Sequence, residues 1–131
     1  MSFLLDTNIV SELTRRRPNA GVLSWAHEVA DQRLSAVSVD ELWFGIARRP
    51  EIQLTNWLHN YLLTHTVLPV THEIAERAGR MRGDFSRKGI VRDQPDMLIA
   101  ATAQQHNLTL VTRNTRDFEG CGIGLLNPFT E

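Results

Sequence analysis

Short apolar runs alternate along the chain with stretches in which apolar residues recur at helical spacing. The short runs predict five strands, at residues 3–5, 33–37, 67–70, 108–112 and 125–126. The helical spacing predicts six helices, at residues 8–13, 19–30, 38–48, 54–62, 74–85 and 96–106. Continuous apolar runs suit strands that are buried on both faces, whereas the helical spacing gives a helix one apolar side.

This alternation of strands and helices predicts an α/β fold. Strands that are separated by helices pair in parallel, and the crossover helices then cover both faces of the sheet. We therefore expect three layers, α/β/α, around a central parallel sheet. Ligands of such sheets bind beyond the carboxyl ends of the strands, so candidate functional residues are sought there.

The composition is that of one globular domain. A length of 131 residues lies in the common domain range of about 100–150 residues and predicts a single domain over residues 1–131. The only cysteine, Cys121, has no partner for an internal disulfide, which suits a reducing compartment. No apolar stretch approaches the roughly 20 residues of a transmembrane helix, and Asp6 interrupts the N-terminus too early for a signal peptide. We therefore expect a cytoplasmic protein with no membrane partner.

Four acidic residues stand where predicted strands end or helices begin. Asp6 follows the first strand, Glu41 lies in the first turn of the predicted third helix, Asp96 begins the sixth helix, and Asp117 comes after the fourth strand. Because the carboxyl ends of parallel strands share one edge of a sheet, these side chains are expected to meet in one pocket. A hard cation such as Mg²⁺ relieves the repulsion among clustered carboxylates. The placement therefore predicts a metal site suited to phosphodiester hydrolysis.

Each acid also has an ordinary structural explanation. Asp6 suits a helix cap, and Ser38 with Glu41 has the spacing of a capping box. Asp96 complements a helix dipole, and Asp117 suits a turn. It is their joint placement that favours a shared site.

Four segments of the chain resemble the sequence motifs of PIN domains. They are LLDTN at residues 4–8, SVDEL at 38–42, DMLIAATA at 96–103 and LVTRNTRDF at 110–118. One such motif is weak, but all four occur in the family's order over nearly the whole chain. The closing segment Asn127-Pro128-Phe129 also resembles the end of some VapC-like toxins.

The resemblance implies a fold, an activity and partners. It implies a Mg²⁺- or Mn²⁺-dependent endoribonuclease, acting on structured RNA such as tRNA or rRNA, that serves as the toxin of a type II toxin–antitoxin pair. It also implies a homodimer and a cognate antitoxin that inhibits it. Operator DNA would be bound only indirectly, through the antitoxin.

Residue roles follow from the matched motif positions. Asp6, Glu41 and Asp96 match the metal-binding catalytic acids, and Asp117 or Asn114 takes the fourth place. Asp117 is the acid expected there, and an asparagine could still orient a metal-bound water. The resemblance further implies that four polar residues hydrogen-bond the acids or the scissile phosphate. They are Thr7, Asn8, Thr112 and Asn114.

Arginine makes up 13 of the 14 basic residues, although the net charge is only −1. Its planar fork suits phosphate, so several arginines are predicted to guide an RNA backbone: Arg15, Arg16, Arg17, Arg80, Arg82, Arg87 and Arg113. Arg80, Arg87 and Arg113 are the main candidates. A solvated helix face remains the alternative for Arg80 to Arg87.

Two other functions compete with a ribonuclease. A haloacid-dehalogenase-type phosphatase also carries an aspartate after its first strand, but it needs a second one where this chain has Asn8. The main alternative is a catalytically silent PIN-like binding module, which would keep the fold and the antitoxin surface. Acids at all matched positions argue against that loss of activity.

Overall fold

The computed structural model of the protein describes residues 1–131 and contains one sheet of five strands. The strands are β1 Phe3–Leu5, β2 Gln32–Ser35, β3 Thr66–Leu68, β4 Thr109–Val111 and β5 Leu125–Leu126. Their order across the sheet is β3-β2-β1-β4-β5, and every neighbouring pair is parallel. The predicted parallel sheet is confirmed.

Six α-helices connect these strands, as the apolar spacing predicted. They are α1 Thr7–Leu13, α2 Ala20–Glu28, α3 Ala36–Arg48, α4 Ile52–Leu63, α5 His72–Arg87 and α6 Gln94–His106. A short 3₁₀ helix, Thr115–Phe118, follows β4. None of these helices has both the length and the apolar character that crossing a bilayer requires.

Neighbouring residues of the central strands build two separate cores. Leu4 and Leu110 pack with the buried residues of α5 and α6 on one face of the sheet. Leu5 and Val111 pack with apolar residues of α1 to α4 on the other face. Successive strand residues point to opposite faces, so the sheet lies between two helical layers. The three-layer α/β/α arrangement is confirmed.

The junction between β2 and α3 lies earlier than the sequence predicted. The helix begins at Ala36 rather than Ser38, because the Ser35 hydroxyl accepts a hydrogen bond from the Val37 amide at 3.0 Å and caps it. Ser38 is buried within the helix. The predicted capping box of Ser38 and Glu41 is therefore wrong. Both serines suit a cap, and the position at which the strand leaves the sheet decides between them.

The chain order creates a crevice beside the central strand. From β1 the chain passes to β2 on one side of the sheet, whereas β4 lies on the other side. Ligand sites of open parallel sheets form where the strand order reverses in this way, outside the carboxyl ends. Asp6 directly follows β1 and Thr112 directly follows β4.

Candidate active site

A polar cleft of about 530 Å³ opens beyond the carboxyl ends of β1 and β4. Its lining residues are Asp6, Thr7, Asn8, Ser11, Glu12, Arg15, Glu41, Asp96, Arg113, Asn114 and Phe129. Three of the four predicted acids, Asp6, Glu41 and Asp96, therefore line one cleft. They come from the end of a central strand, from α3 and from the start of α6.

Asp6 is the most enclosed of these acids, with 6% of its surface exposed. Its Oδ2 accepts hydrogen bonds from Thr112 Oγ1 at 2.8 Å and Asn8 Nδ2 at 3.3 Å, and its Oδ1 accepts one from the Thr7 amide at 2.8 Å. Burial raises the pKa of Asp6, while the hydrogen bonds from Thr112 and Thr7 act in the opposite direction. Asp6 thus caps α1 and also presents a fixed carboxylate to the cleft.

The partners of Asp6 join the start of α1 to the segment after β4. Thr112 Oγ1 accepts a hydrogen bond from the Asn114 amide at 3.0 Å, and Asn8 Oδ1 accepts one from the Arg113 amide at 3.2 Å. Asn8 Nδ2 also reaches Thr112 Oγ1 at 3.4 Å. The supporting residues expected from the sequence therefore form one connected network around Asp6.

Glu41 is exposed and belongs to the second turn of α3, because that helix begins at Ala36. Its placement in the first turn was wrong for the same reason as the capping box. Thr7 Oγ1 donates to Glu41 Oε1 at 2.6 Å and lies 3.0 Å from Ser38 Oγ. Through Thr7, Glu41 is held beside the helix that Asp6 caps.

Asp96 stands in the first turn of α6, which begins at Gln94 rather than at Asp96. Burial, together with the smaller effects of the charges of Asp6, Asp117, Asp93 and Glu41, raises the pKa of Asp96 to about 7. A position at a helix N-terminus by itself favours the charged carboxylate. Burial and the neighbouring acids therefore outweigh the helix dipole at Asp96.

Asp117 is exposed in the 3₁₀ helix and does not line the cleft, whereas Asn114 does. The charge of Asp117 nevertheless raises the pKa of both Asp6 and Asp96. Arg92 holds this segment: its guanidinium donates to the Asp117 carbonyl, and to the Glu119 carbonyl at 2.8 Å. The fourth position, taken by Asn114 or Asp117, stays a prediction.

The predicted RNA-guiding arginines lie in different parts of the molecule. Arg113 and Arg15 line the cleft. Arg80 and Arg87 lie on α5, outside the cleft lining, where they pair with Glu76 at 3.1 Å and with Asp84 at 2.6 Å. Their role in RNA binding remains a prediction, with the solvated helix face as its alternative.

Three residues that line the cleft were not predicted from the sequence to belong to the site: Ser11, Glu12 and Phe129. Glu12 is buried and accepts a hydrogen bond from the Asn19 amide at 2.7 Å. The four-residue spacing of Thr7 with Ser11 and of Asn8 with Glu12 places them on one face of a helix, and this signal could have revealed both. Phe129 is distant in sequence, and the resemblance of Asn127-Pro128-Phe129 to the end of some VapC-like toxins did not by itself place it at the cleft.

The family model described as "PIN domain" matches residues 3–121 of the chain. The chain belongs to the PIN-domain family. That range contains Asp6, Glu41, Asp96 and Asp117, which the motif resemblance had singled out. It ends before the last strand and Phe129.

Individual relatives of this PIN-domain protein match over nearly its full length. A Sinorhizobium fredii protein, "VapC ribonuclease Y4jK", is 33% identical and covers 96% of each chain. The crystal structure of FitAcB from Neisseria gonorrhoeae has a TM-score of 0.84 and 34% identity, covering 96% of this chain and 97% of that one. A toxin–antitoxin complex from Klebsiella pneumoniae has a TM-score of 0.80 and 28% identity, covering 99% of this chain and 100% of that one.

The acids of this PIN domain fit a hard divalent cation in their chemistry. None of the four ion pairs includes Asp6, Glu41, Asp96 or Asp117, so their charge is not neutralised by a basic side chain. No three acidic, histidine or cysteine side chains stand close enough to hold an ion between them. An ion would thus contact few side chains and keep several waters, which is usual for Mg²⁺.

Proposed function

We propose that this protein is a Mg²⁺- or Mn²⁺-dependent endoribonuclease that acts in the cytoplasm as the toxin of a toxin–antitoxin pair. The observation that carries the proposal is the convergence of Asp6, Glu41 and Asp96 on one cleft without a basic partner. The 33% identity to a protein named as a VapC ribonuclease supports it. One PIN domain spanning residues 1–131 would carry the activity.

The side chains of the cleft have separate tasks in this proposal. Asp6 and Asp96 hold the metal, Glu41 completes the acidic wall, and Asn114 or Asp117 takes the fourth position. A bound Mg²⁺ or Mn²⁺ supplies an activated water and neutralises charge that develops on the phosphoryl oxygens. Thr112, Asn8 and Thr7 keep Asp6 in place, since groups that hydrogen-bond metal ligands fix their orientation.

The RNA backbone would reach the acidic cleft alongside basic residues that line it. Arg113 and Arg15 are placed for this contact, and Arg80 and Arg87 would act only on RNA that extends over α5. If phosphate contacts contribute, affinity for RNA falls as salt rises. Arg113→Gln should flatten that salt dependence more than Arg80→Gln, and equal slopes in both variants would argue against this assignment.

The decisive experiment is cleavage of RNA by the purified protein. The wild type, Asp6→Asn and the exposed control Asp40→Asn are incubated with total tRNA and rRNA in Mg²⁺, in Mn²⁺ and in EDTA, and new RNA ends are sequenced. Metal-dependent ends in the wild type and in Asp40→Asn, but not in Asp6→Asn, support the nuclease. Induced expression in cells is the second measurement, and equal growth arrest by the wild type and Asp6→Asn would favour the silent binding module.

The partners belong to the same proposal. A neighbouring structure is named as a toxin–antitoxin complex, so we expect a cognate antitoxin that binds this protein and inhibits it, and a homodimer of the toxin. Co-purification with the product of an adjacent reading frame, followed by light scattering, tests both. Operator DNA should bind the complex and not the toxin alone.

A further inference from the structure

The last residues of the chain form part of the cleft, although they lie far from the acids in sequence. Phe129 is the only apolar side chain in the cleft lining, and its ring is half-buried. The guanidinium carbon of Arg113 lies 4.6 Å from the centre of that ring. Arg113 itself is exposed, and the guanidinium therefore rests on the aromatic ring at the edge of the acidic cleft.

A network of hydrogen bonds around Asn19 anchors the C-terminal segment. Its side-chain amide donates to the Thr130 carbonyl at 2.7 Å, and its Oδ1 accepts from the Thr130 amide at 3.0 Å. Asn19 Oδ1 also caps α2 through the Gly21 amide at 3.0 Å. The start of α2 thus fixes the residue next to Phe129.

Gly21 makes this close approach possible. A Cβ at this position would fall closer than 3.0 Å to the Pro128 carbonyl oxygen and to the Thr130 backbone. At no other glycine would an added Cβ come this close to backbone atoms. At Gly45 an added Cβ would have no neighbour within 4 Å. An alanine at residue 21 would therefore displace the C-terminal segment without touching the cleft.

We propose that Arg113, positioned by Phe129 and the anchored C-terminal segment, is a stacking platform for one unpaired base of the RNA. Proteins that read single-stranded RNA stack bases on aromatic rings and on arginine guanidinium planes. The Phe129 ring limits the conformational freedom of the Arg113 side chain. This lowers the entropic cost of fixing the guanidinium plane when a base stacks on it. This inference rests on the proposed ribonuclease function and assigns a base-binding position beside the acids.

Base stacking and a simple phosphate contact predict different results for Arg113. A lysine keeps the charge that attracts phosphate but has no planar group. An abasic nucleotide keeps the phosphate but has no base. Only the stacking platform makes affinity depend on both the arginine plane and the base.

The test measures binding of fluorescein-labelled 12-nucleotide unstructured RNAs by anisotropy, with one abasic site placed at each position in turn. All proteins carry Asp6→Asn so that the RNA stays intact. In this background, one abasic position should weaken binding by about tenfold, as stacking on a protein side chain typically provides. The same abasic site should have little effect in Arg113→Lys or Phe129→Leu, and Phe129→Trp should restore it.

Gly21→Ala provides the remote perturbation, with Gly45→Ala as its matched control. Gly21→Ala should lose the dependence on the base, as Phe129→Leu does, while Gly45→Ala should keep it. Circular dichroism checks that Gly21→Ala remains folded, and Phe129→Leu carries the test if it does not. Equal affinity for every abasic RNA in the parent protein, or an undiminished abasic effect in Arg113→Lys, would overturn the stacking platform.

Cleavage by the protein with Asp6 intact is measured in parallel in Mg²⁺. Base-dependent binding without any cleavage would support the platform and contradict the ribonuclease. Cleavage with no base-dependent binding would support the ribonuclease and contradict the platform. The two proposals can therefore fail separately.

Discussion

Two of the acids that line the cleft, Asp6 and Asp96, are held in different ways. Asp6 receives hydrogen bonds from Thr112, Asn8 and the Thr7 amide. The bonds from Thr112 and Thr7 partly offset the rise in its pKa that burial causes. Nothing comparable acts on Asp96, whose pKa rises to about 7 through burial and the acids around it. Hydrogen bonds thus anchor the carboxylate of Asp6, whereas the carboxylate of Asp96 is destabilised by burial and by the negative charges around it.

This difference shows how an acidic site can hold one carboxylate in a fixed direction while another is stabilised mainly by a bound cation. Hydrogen bonds to a charged carboxylate stabilise the ion and fix its direction, as at Asp6. A cation stabilises most strongly a charged carboxylate whose pKa is raised by neighbouring acids, because the cation removes the repulsion among them. We therefore expect Asp6 variants to change mainly catalysis and Asp96 variants to change stability as well.

The largest effect is expected where the anchored carboxylate is neutralised. Asp6→Asn should lower RNA cleavage by about a thousandfold or more, which corresponds to roughly 4 kcal/mol of transition-state stabilisation. The measurement is single-turnover cleavage in Mg²⁺, with Asp40→Asn as the exposed control. Cleavage by Asp6→Asn within a few-fold of wild type would refute the catalytic role of Asp6.

Removing the anchor while leaving the acid should have the next largest effect. Thr112→Val keeps the shape of the side chain but deletes its 2.8 Å hydrogen bond to Asp6 and the bond that it accepts from the Asn114 amide. We expect cleavage to fall by about 10–100-fold and the free energy of unfolding to fall by about 1–2 kcal/mol. Because the bond to Asp6 lowers the pKa of that carboxyl, the pH at which cleavage is half-maximal should rise. Thr112→Ser should restore both measurements, and a Ser variant as impaired as Val would exclude the hydrogen bond as the cause.

The raised pKa of Asp96 should affect the free energy of unfolding when no metal is bound. The pKa of Asp96 is raised from 3.8 to about 7, so the folded state binds the proton of this carboxyl more tightly than the unfolded state does. The protein therefore loses stability as the pH rises from about 4 to about 7. In EDTA, Asp96→Asn should be more stable than wild type at pH 8 by about 1–2 kcal/mol, after discounting the shift for solvent screening. Urea unfolding should show little gain at pH 4.5, and Mg²⁺ should narrow the gap at pH 8. A gain that is equal at both pH values would contradict the electrostatic cause.

The smallest effect is expected at Glu41, which is exposed and held mainly through Thr7. Thr7→Val deletes the 2.6 Å hydrogen bond to Glu41, and one such bond contributes roughly 1 kcal/mol. Cleavage should fall about two- to tenfold, with a higher Mg²⁺ concentration needed for half-maximal rate. Thr7→Ser keeps the hydroxyl and should behave as wild type. A loss as large as that of Asp6→Asn would mean that Glu41 is anchored as tightly as Asp6.

Most of the site could be predicted because its residues are tied to local patterns. Asp6 ends an apolar run, and Asp96 begins a helix that is apolar on most sides, so the topology of a parallel sheet places both at one edge. The start of α3 was misplaced by two residues because Ser35 and Ser38 are equally good caps in isolation. That choice moved Glu41 from the first turn to the second without removing it from the cleft.

The order of strands, helices and acids along the chain was sufficient by itself to determine the parallel sheet and the edge at which Asp6, Glu41 and Asp96 gather. Hydrophobic spacing and strand polarity are local properties, and they carry that information directly. Only the tertiary structure decided which acid is anchored, how far the pKa of Asp96 rises, and that Phe129 supports Arg113 in the same cleft. These features depend on burial and on contacts between residues more than 10 positions apart, and such contacts form only once the sheet has brought distant segments together.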